Sequence, residues 1–229
     1  MSNFDAFAPI YDDWASHMTE DVDFYVSLAR EADGPLVELA VGSGRVAIPV
    51  ATATGRPVLG IDTSPAMLAQ ARERAAAGGV ELELREGDMR DLSLEEPAAL
   101  VYCPFRGIMH LPTWRDRRLL FERVAAALRP GGRFAWNVFV FNPHIAAQMD
   151  GAWDEHVGIR NRVDHFPGDS RIDITLEAGS TSLWWTTRSE WEGLIEVAGL
   201  EVEALYGWFD RRPFDEESEE MVWVARKPA

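Results

Sequence analysis

Three carboxylates and a glycine turn are spaced as a site for a small charged ligand would be. Glu38 precedes Gly42-Ser43-Gly44 in the run VELAVGSGR (37–45), Asp62 lies twenty positions beyond Gly42, and Asp88 follows Gly87 in REGDMRDL (85–92). Glycine tolerates positive φ and has no Cβ, so the turn can be sharp and its backbone can approach a ligand closely. The free N–H groups at the helix start that follows add a weakly positive, hydrogen-bonding surface. A carboxylate at the Asp62 offset is placed to bind vicinal ribose hydroxyls, so a nucleoside cofactor is expected. Gly42-x-Gly44-x-x-Ala47 also satisfies the dinucleotide fingerprint. Glu38 argues against that reading, because a carboxylate ahead of the turn repels a pyrophosphate and attracts an ammonium group. Asp88 adds an acceptor suited to an exocyclic adenine amine.

The elements that must hold these residues alternate. Apolar runs at 36–41, 57–61, 80–85, 98–103 and 133–141 read as strands, and helices are expected at 21–32, 44–54, from Ser64-Pro65 to Gly78-Gly79, and at 113–129. Alternation of this kind means a parallel sheet with helices on both faces. The three acids then stand at the ends of the first three strands, and the carboxyl ends of a doubly wound sheet line one ligand crevice. From Asn142 the pattern changes. Strand-like stretches at 157–166, 171–176 and 182–187 are followed by a helix at 187–198, and strands at 200–209 and 220–226 form a closing antiparallel pair.

Composition excludes several classes of function. The net charge of −16 opposes binding to a phosphate backbone, so no nucleic-acid partner is expected. Cys103 is the only cysteine, which leaves no intrachain disulfide and suggests a reducing compartment. The N-terminal stretch MSNFDAFAPIYDDW has no basic start or apolar core of signal-peptide length, and no run approaches the roughly 18 apolar residues of a membrane helix. A cytoplasmic protein with no membrane partner is expected. The five histidines show no close ligand spacing, so no metal is expected.

Taken in order, these motifs resemble the class I S-adenosylmethionine-dependent methyltransferases, in their small-molecule, amino-sugar-like branch. VELAVGSGR is similar to the first family motif, VLGIDTSPAML (58–68) to the second and REGDMRDL to the third; ALRPGGRF (127–134) and the terminal GLEVEALYGWF with EEMVWVARK resemble later segments. The resemblance covers most of the chain. It implies a Rossmann-like α/β fold: a doubly wound, mostly parallel seven-stranded sheet with an antiparallel C-terminal strand, plus a small antiparallel β addition. The chain then reads as one domain, with N-terminal lid helices (1–33), a cofactor-binding core (34–143), a substrate-side β addition (144–187) and a closing helix with antiparallel strands (188–229).

The resemblance also implies S-adenosyl-L-methionine as cofactor and S-adenosyl-L-homocysteine as product. Glu38 and the Gly42, Ser43 and Gly44 backbone go to the methionine portion, with Arg45 beside them, and Asp62 goes to the ribose. Thr63 or Met67 flanks the adenine, Asp88 with Gly87 accepts from its amine, and Met89 packs on the ring. Ala40 departs from the pattern, since many relatives have glycine there; its methyl group tightens the turn without removing a ligand.

The acceptor side follows the fourth strand, in CPFRGIMHL (103–111). Cys103 belongs to the cofactor set and otherwise reads as a buried strand residue. Arg106 suits an anionic acceptor. His110 is either a base for an amine or hydroxyl acceptor or a packed helix-start residue. Tyr11, in APIYDDW, is similar to the family's lid tyrosine. Trp136, Phe139 and Phe141 run off the fifth strand towards the crevice, and Trp184 and Trp185 belong to the β addition; such rings hold a flat or cationic acceptor or pack one sheet onto another. The expected activity is methyl transfer to nitrogen or oxygen of a small-molecule acceptor by a monomer or homodimer. A catalytically inactive nucleoside-binding module and a nicotinamide-dependent reductase are the alternatives.

Overall fold

In the computed structural model, residues 5, 8, 9, 19–156 and 158–229 are described. Helix α1 (Glu20–Glu31) carries acids in its first turn and Arg30 in its last, matching the helix dipole, and buries Phe24, Tyr25, Leu28 and Ala29. Strand β1 (Leu36–Leu39) leads into the glycine turn and α2 (Ala47–Thr54), which stops at left-handed Gly55. Strand β2 (Val58–Asp62) feeds α3 (Pro65–Ala77), whose first turn is capped by the Ser64 side chain and pre-set by Pro65. Strands β3 (Leu82–Glu86) and β4 (Ala98–Cys103) precede α4 (Trp114–Ala127), which is capped by Thr113. Strand β5 (Leu128–Phe139) completes the core of the sheet.

The helix after the turn starts at Ala47 rather than at 44. Gly42 and Gly44 stand at φ 54° and 80°, outside the helical region, so the backbone spends residues 42–46 turning. Strand β5 likewise begins before Pro130-Gly131-Gly132, not after it. Leu128 pairs with Ala98, and an irregular register carries the chain past left-handed Gly131 before Arg133 pairs with Leu100.

Beyond β5, a short helix α5 (Pro143–Met149) is capped by Asn142, whose side-chain oxygen accepts from the His144 and Ile145 N–H groups. The β addition has four strands, β6 (Trp153–His156), β7 (Ile159–Phe166), β8 (Arg171–Leu176) and β9 (Gly179–Trp184), in an antiparallel sheet of that order. The last strand starts at Gly179 rather than at 182, because Gly179 is already paired with Leu176 and the turn takes only residues 177–178. Helix α6 (Arg188–Val197) opens with a capping box between Thr187 and Glu190, and β10 (Glu201–Tyr206) and β11 (Glu220–Arg226) close the chain.

The seven-stranded sheet runs β10-β11-β5-β4-β1-β2-β3, with β11 antiparallel to both its neighbours and the other pairs parallel. On one face Trp136 and Trp223 stack at 5.8 Å and pack with Phe121 and Trp191 of α4 and α6. On the other, α1 stacks Tyr25 on Tyr102 at 5.4 Å. Both faces of β1 and β4 are buried, as their continuous apolar runs require. Phe141 and Trp185 stack at 4.1 Å and 6°, fastening the chain just before the β addition to the chain just after it.

Candidate active site

The strand order puts the ends of β1, β2 and β4 side by side, and with them Glu38, Asp62 and Cys103. The turn and the second carboxylate are one unit. The Gly42 N–H donates to Asp62 Oδ2 at 2.9 Å and the Ser64 N–H to Oδ1 at 2.8 Å. The Thr63 N–H is a third backbone donor to this carboxylate, so three of its four lone pairs are spent on the backbone and one is left for a ligand hydroxyl. Burial raises the Asp62 carboxyl above its ordinary range despite these donors.

Glu38 is 1% exposed, and its Oε2 has no hydrogen-bond partner among the described residues. Burial pushes its carboxyl well above the ordinary range; the neighbouring Tyr102 hydroxyl and Arg45 guanidinium oppose this, while Asp21 and Asp62 reinforce it. A buried carboxylate with an orphaned oxygen fits a ligand that brings its own positive charge and N–H donors. The turn beside it requires glycine: a Cβ at Gly44 would stand 3.1 Å from Ile48 Cδ1 and in a left-handed conformation. Arg45 makes two hydrogen bonds to the Asp21 carboxylate of α1, at 2.7 and 2.6 Å, and lies 4.6 Å over the Phe105 ring. Arg74 of α3 donates to Ser43 Oγ at 2.9 Å.

Ala40 adopts φ 54°, a left-handed conformation that is uncomfortable for alanine. Gly107 relieves the crowding: a Cβ there would meet the Ala40 methyl group at 2.9 Å and Cys103 Sγ at 3.0 Å. Cys103 is fully buried with its thiol pushed up by burial, the inert state of a strand residue.

Of the residues expected around the adenine, Met67 is buried, Met89 half-buried and Thr63 exposed. Asp88 is occupied more fully than the sequence suggests. Arg90 donates to both its oxygens, at 3.0 and 2.6 Å, and bridges to Asp116 of α4 at 2.6 Å; this fork holds the Asp88 carboxyl below its ordinary range. Gly87 is tied to β2 through its N–H to the Asp62 carbonyl.

On the acceptor side, Arg106 and His110 are both engaged with other parts of the chain. Arg106 does not stand ready for an anion: it pairs with Glu220 of β11, which is 2% exposed, and its charge is answered there. His110 is a poor base. Burial lowers its ring to about 4, and its Nδ1 lies 3.0 Å from the Ser182 carbonyl of β9, a bond that ties the loop after β4 to the β addition. Tyr11 lies outside the described residues. The lead-in chain does reach the site: Ser64 Oγ donates to Asp5 Oδ1 at 2.6 Å and Gln70 to the Ala8 carbonyl at 2.7 Å. Trp136 is fully buried in the core, not in the crevice.

Sequence reasoning missed Asp21, Tyr25, Asn137 and Glu220. The Tyr25 hydroxyl donates to Asn137 Oδ1 at 3.1 Å and Asn137 Nδ2 to Glu220 Oε2 at 3.1 Å, so α1, β5 and β11 share one buried polar chain. A buried asparagine inside a strand of large apolar residues was the available signal. Among the described residues, no group of three or more His, Cys, Asp or Glu could hold a metal ion, and no helix is long and apolar enough to cross a membrane.

A family model described as a methyltransferase domain matches residues 36–132, the stretch from β1 to the glycines of β5. The chain is 29% identical over 188 residues to dTDP-3-amino-3,6-dideoxy-alpha-D-glucopyranose N,N-dimethyltransferase of Streptomyces fradiae, covering 75% of this chain and 72% of that protein. It is 30% identical over 121 residues to 27-O-demethylrifamycin SV methyltransferase of Amycolatopsis mediterranei, covering 52% of this chain and 43% of that protein. Among solved structures, the CcbJ methyltransferase of Streptomyces caelestis superposes with a TM-score of 0.84 at 26% identity, covering 100% of this chain and 99% of that one. With its strand order, its glycine turn and its strand-end carboxylates, the chain carries a methyltransferase domain similar to those of the class I S-adenosylmethionine-dependent enzymes, and S-adenosylmethionine is its cofactor.

Proposed function

We propose that the enzyme transfers the methyl group to nitrogen or oxygen of a small-molecule acceptor. The observation that carries this is the pocket beside the cofactor residues, walled by Phe105, Trp208 and Phe209 and opening at the ends of β4 and β5. Its walls suit a compact organic molecule, and the overall charge of −16 disfavours a polyanion. The relatives named above are described as acting on an amino sugar and on a rifamycin, which supports the same acceptor class.

When bound, S-adenosylmethionine supplies an electrophilic methyl group on a positively charged sulfur. The chain's own residues then bind and orient. Glu38 accepts from the ammonium group, Asp62 takes the ribose hydroxyls, Thr63 and Met67 with Met89 enclose the adenine, and the one lone pair of Asp88 Oδ2 that Arg90 leaves is available to its amine. His110 acts as a tie to the β addition, not as a base. Burial of both partners removes the water that would otherwise solvate the nucleophile. The single buried Cys103 supports a reducing, cytoplasmic setting.

The test is transfer of a labelled methyl group from S-adenosylmethionine to panels of amino sugars, amines and hydroxylated compounds. Labelled product from at least one panel is expected. Protein that binds S-adenosylhomocysteine yet labels no member of any panel would sink the small-acceptor reading.

A further inference from the structure

We propose that Glu220 recognises the acceptor through a nitrogen atom, which makes the acceptor an amine. This rests on the methyl-transfer reading above and narrows it. The pocket lies between the start of α1 and the β10–β11 connection, and Asp21, Phe105, Arg106, Trp208, Phe209 and Glu220 are among its lining residues. Carboxylates set among aromatic faces make a site for a positive charge or for N–H donors.

Glu220 is the fixed member of this set. It is 2% exposed, and Asn137, itself held by Tyr25, donates to its Oε2. Its other oxygen faces a cation that the chain supplies, the Arg106 guanidinium, which also lies 5.4 Å from the Phe139 ring centroid. The protein therefore already seats a cation between a buried carboxylate and an aromatic ring. Glu220 cannot leave, being locked in β11 opposite Phe139. Arg106 can: its side chain is 41% exposed and it sits on a loop, in a left-handed conformation beside left-handed Phe105. Arg106 thus stands in for the acceptor's nitrogen and swings out when the acceptor arrives.

The chemistry favours nitrogen. As a neutral amine attacks, the N–C bond forms while the S–C bond breaks, and the positive charge passes from sulfur to nitrogen; the resulting ammonium then loses one proton to solvent. A buried carboxylate that accepts an N–H of the amine orients its lone pair and stabilises the charge as it develops. An alcohol brings a single O–H donor and no N–H, and it carries no stable cationic form there.

The test uses the full chain saturated with S-adenosylhomocysteine, titrated at pH 7.5 with benzylamine and with its neutral analogue benzyl alcohol, and followed by tryptophan fluorescence and calorimetry. Wild-type protein is expected to bind the amine at least tenfold more tightly than the alcohol. Glu220→Gln should bring the two within twofold while S-adenosylhomocysteine still binds. Arg106→Gln, which removes the internal competitor, should tighten amine binding threefold or more. Equal binding of the two probes by wild type, a preference retained in Glu220→Gln, or weakened amine binding in Arg106→Gln overturns the proposal. Should Glu220→Gln fail to bind S-adenosylhomocysteine, the Arg106 variant decides alone. Failure of wild-type protein to bind S-adenosylhomocysteine overturns the methyltransferase reading itself, and the proposal with it.

Discussion

The Gly42 N–H and the Asp62 carboxylate are joined by a 2.9 Å hydrogen bond across the ends of β1 and β2. The bond makes the glycine turn and the acid at the end of β2 a single element. Ser64 completes it by donating its N–H to the other Asp62 oxygen while its side chain caps α3.

Asp62→Asn should therefore be costly twice over. It removes a charged acceptor from the proposed ribose site and turns an amide N–H₂ against one or more of three backbone donors. Losing a hydrogen bond to a charged group costs about 1.5–3 kcal/mol, so affinity for S-adenosylmethionine should fall roughly 10- to 100-fold. Calorimetric titration measures this, and affinity within twofold of wild type would remove Asp62 from the cofactor site.

Glu38 gives a linked prediction in pH. Its native carboxyl titrates above the ordinary range, so the folded protein holds a proton that the unfolded chain has released. Stability then falls as pH rises from the ordinary carboxyl range towards the raised value. Glu38→Gln should abolish that loss, raising the melting temperature of the ligand-free protein more at pH 7.5 than at pH 5. Binding of the cationic cofactor needs the ionised form, so it should release a proton from wild type and none from the variant. Calorimetry in buffers of different ionisation enthalpy reads the difference.

His110 has the opposite sign. Its ring is held near 4 in the folded protein, below the ordinary histidine value, so its contribution is fully present above about pH 6.5 and fades as pH falls towards 4. His110→Asn keeps a donor for the Ser182 carbonyl and removes the titration. The variant should lose less stability than wild type between pH 6.5 and 4.5, by on the order of 2 kcal/mol. Its turnover should show no lost inflection near neutrality; a kcat that falls by a hundredfold or more with an altered pH profile would restore His110 as a base.

The pair between Asp21 and Arg45 is 5% and 12% exposed and bidentate. Breaking one partner of a buried pair leaves the other uncompensated, at about 3–5 kcal/mol. Asp21→Asn should lower the melting temperature by roughly 6–20 °C, given the 2–4 °C per kcal/mol typical of a chain this long. A change under 2 °C, read by calorimetry, would show that solvent already screens the pair.

How much of this was legible beforehand follows the distance along the chain over which each feature is decided. The glycine turn, the Ser64-Pro65 cap and the order of strands and helices are set by neighbouring residues, and all three were readable. So was Asp62, because one crossover unit spans its separation of 20 residues from Gly42. Boundaries were less readable where pairing overrode local chemistry. Pro130-Gly131-Gly132 looks like a stop, yet β5 passes through it because Leu128 finds Ala98.

The acceptor side was decided by tertiary structure alone. Arg106 and Glu220 are 114 positions apart, Tyr25 and Asn137 are 112 apart, and Asn137 and Glu220 are 83 apart. Each looks like an ordinary surface or core residue until α1, β5 and β11 converge. An isolated arginine reads as an anion receptor, and only the sheet shows that a buried carboxylate has claimed it. Charges act through space and are answered by whatever the fold brings within a few ångströms. Local sequence therefore determined the cofactor half of the site, and the pairing of β11 against β5 determined the other half.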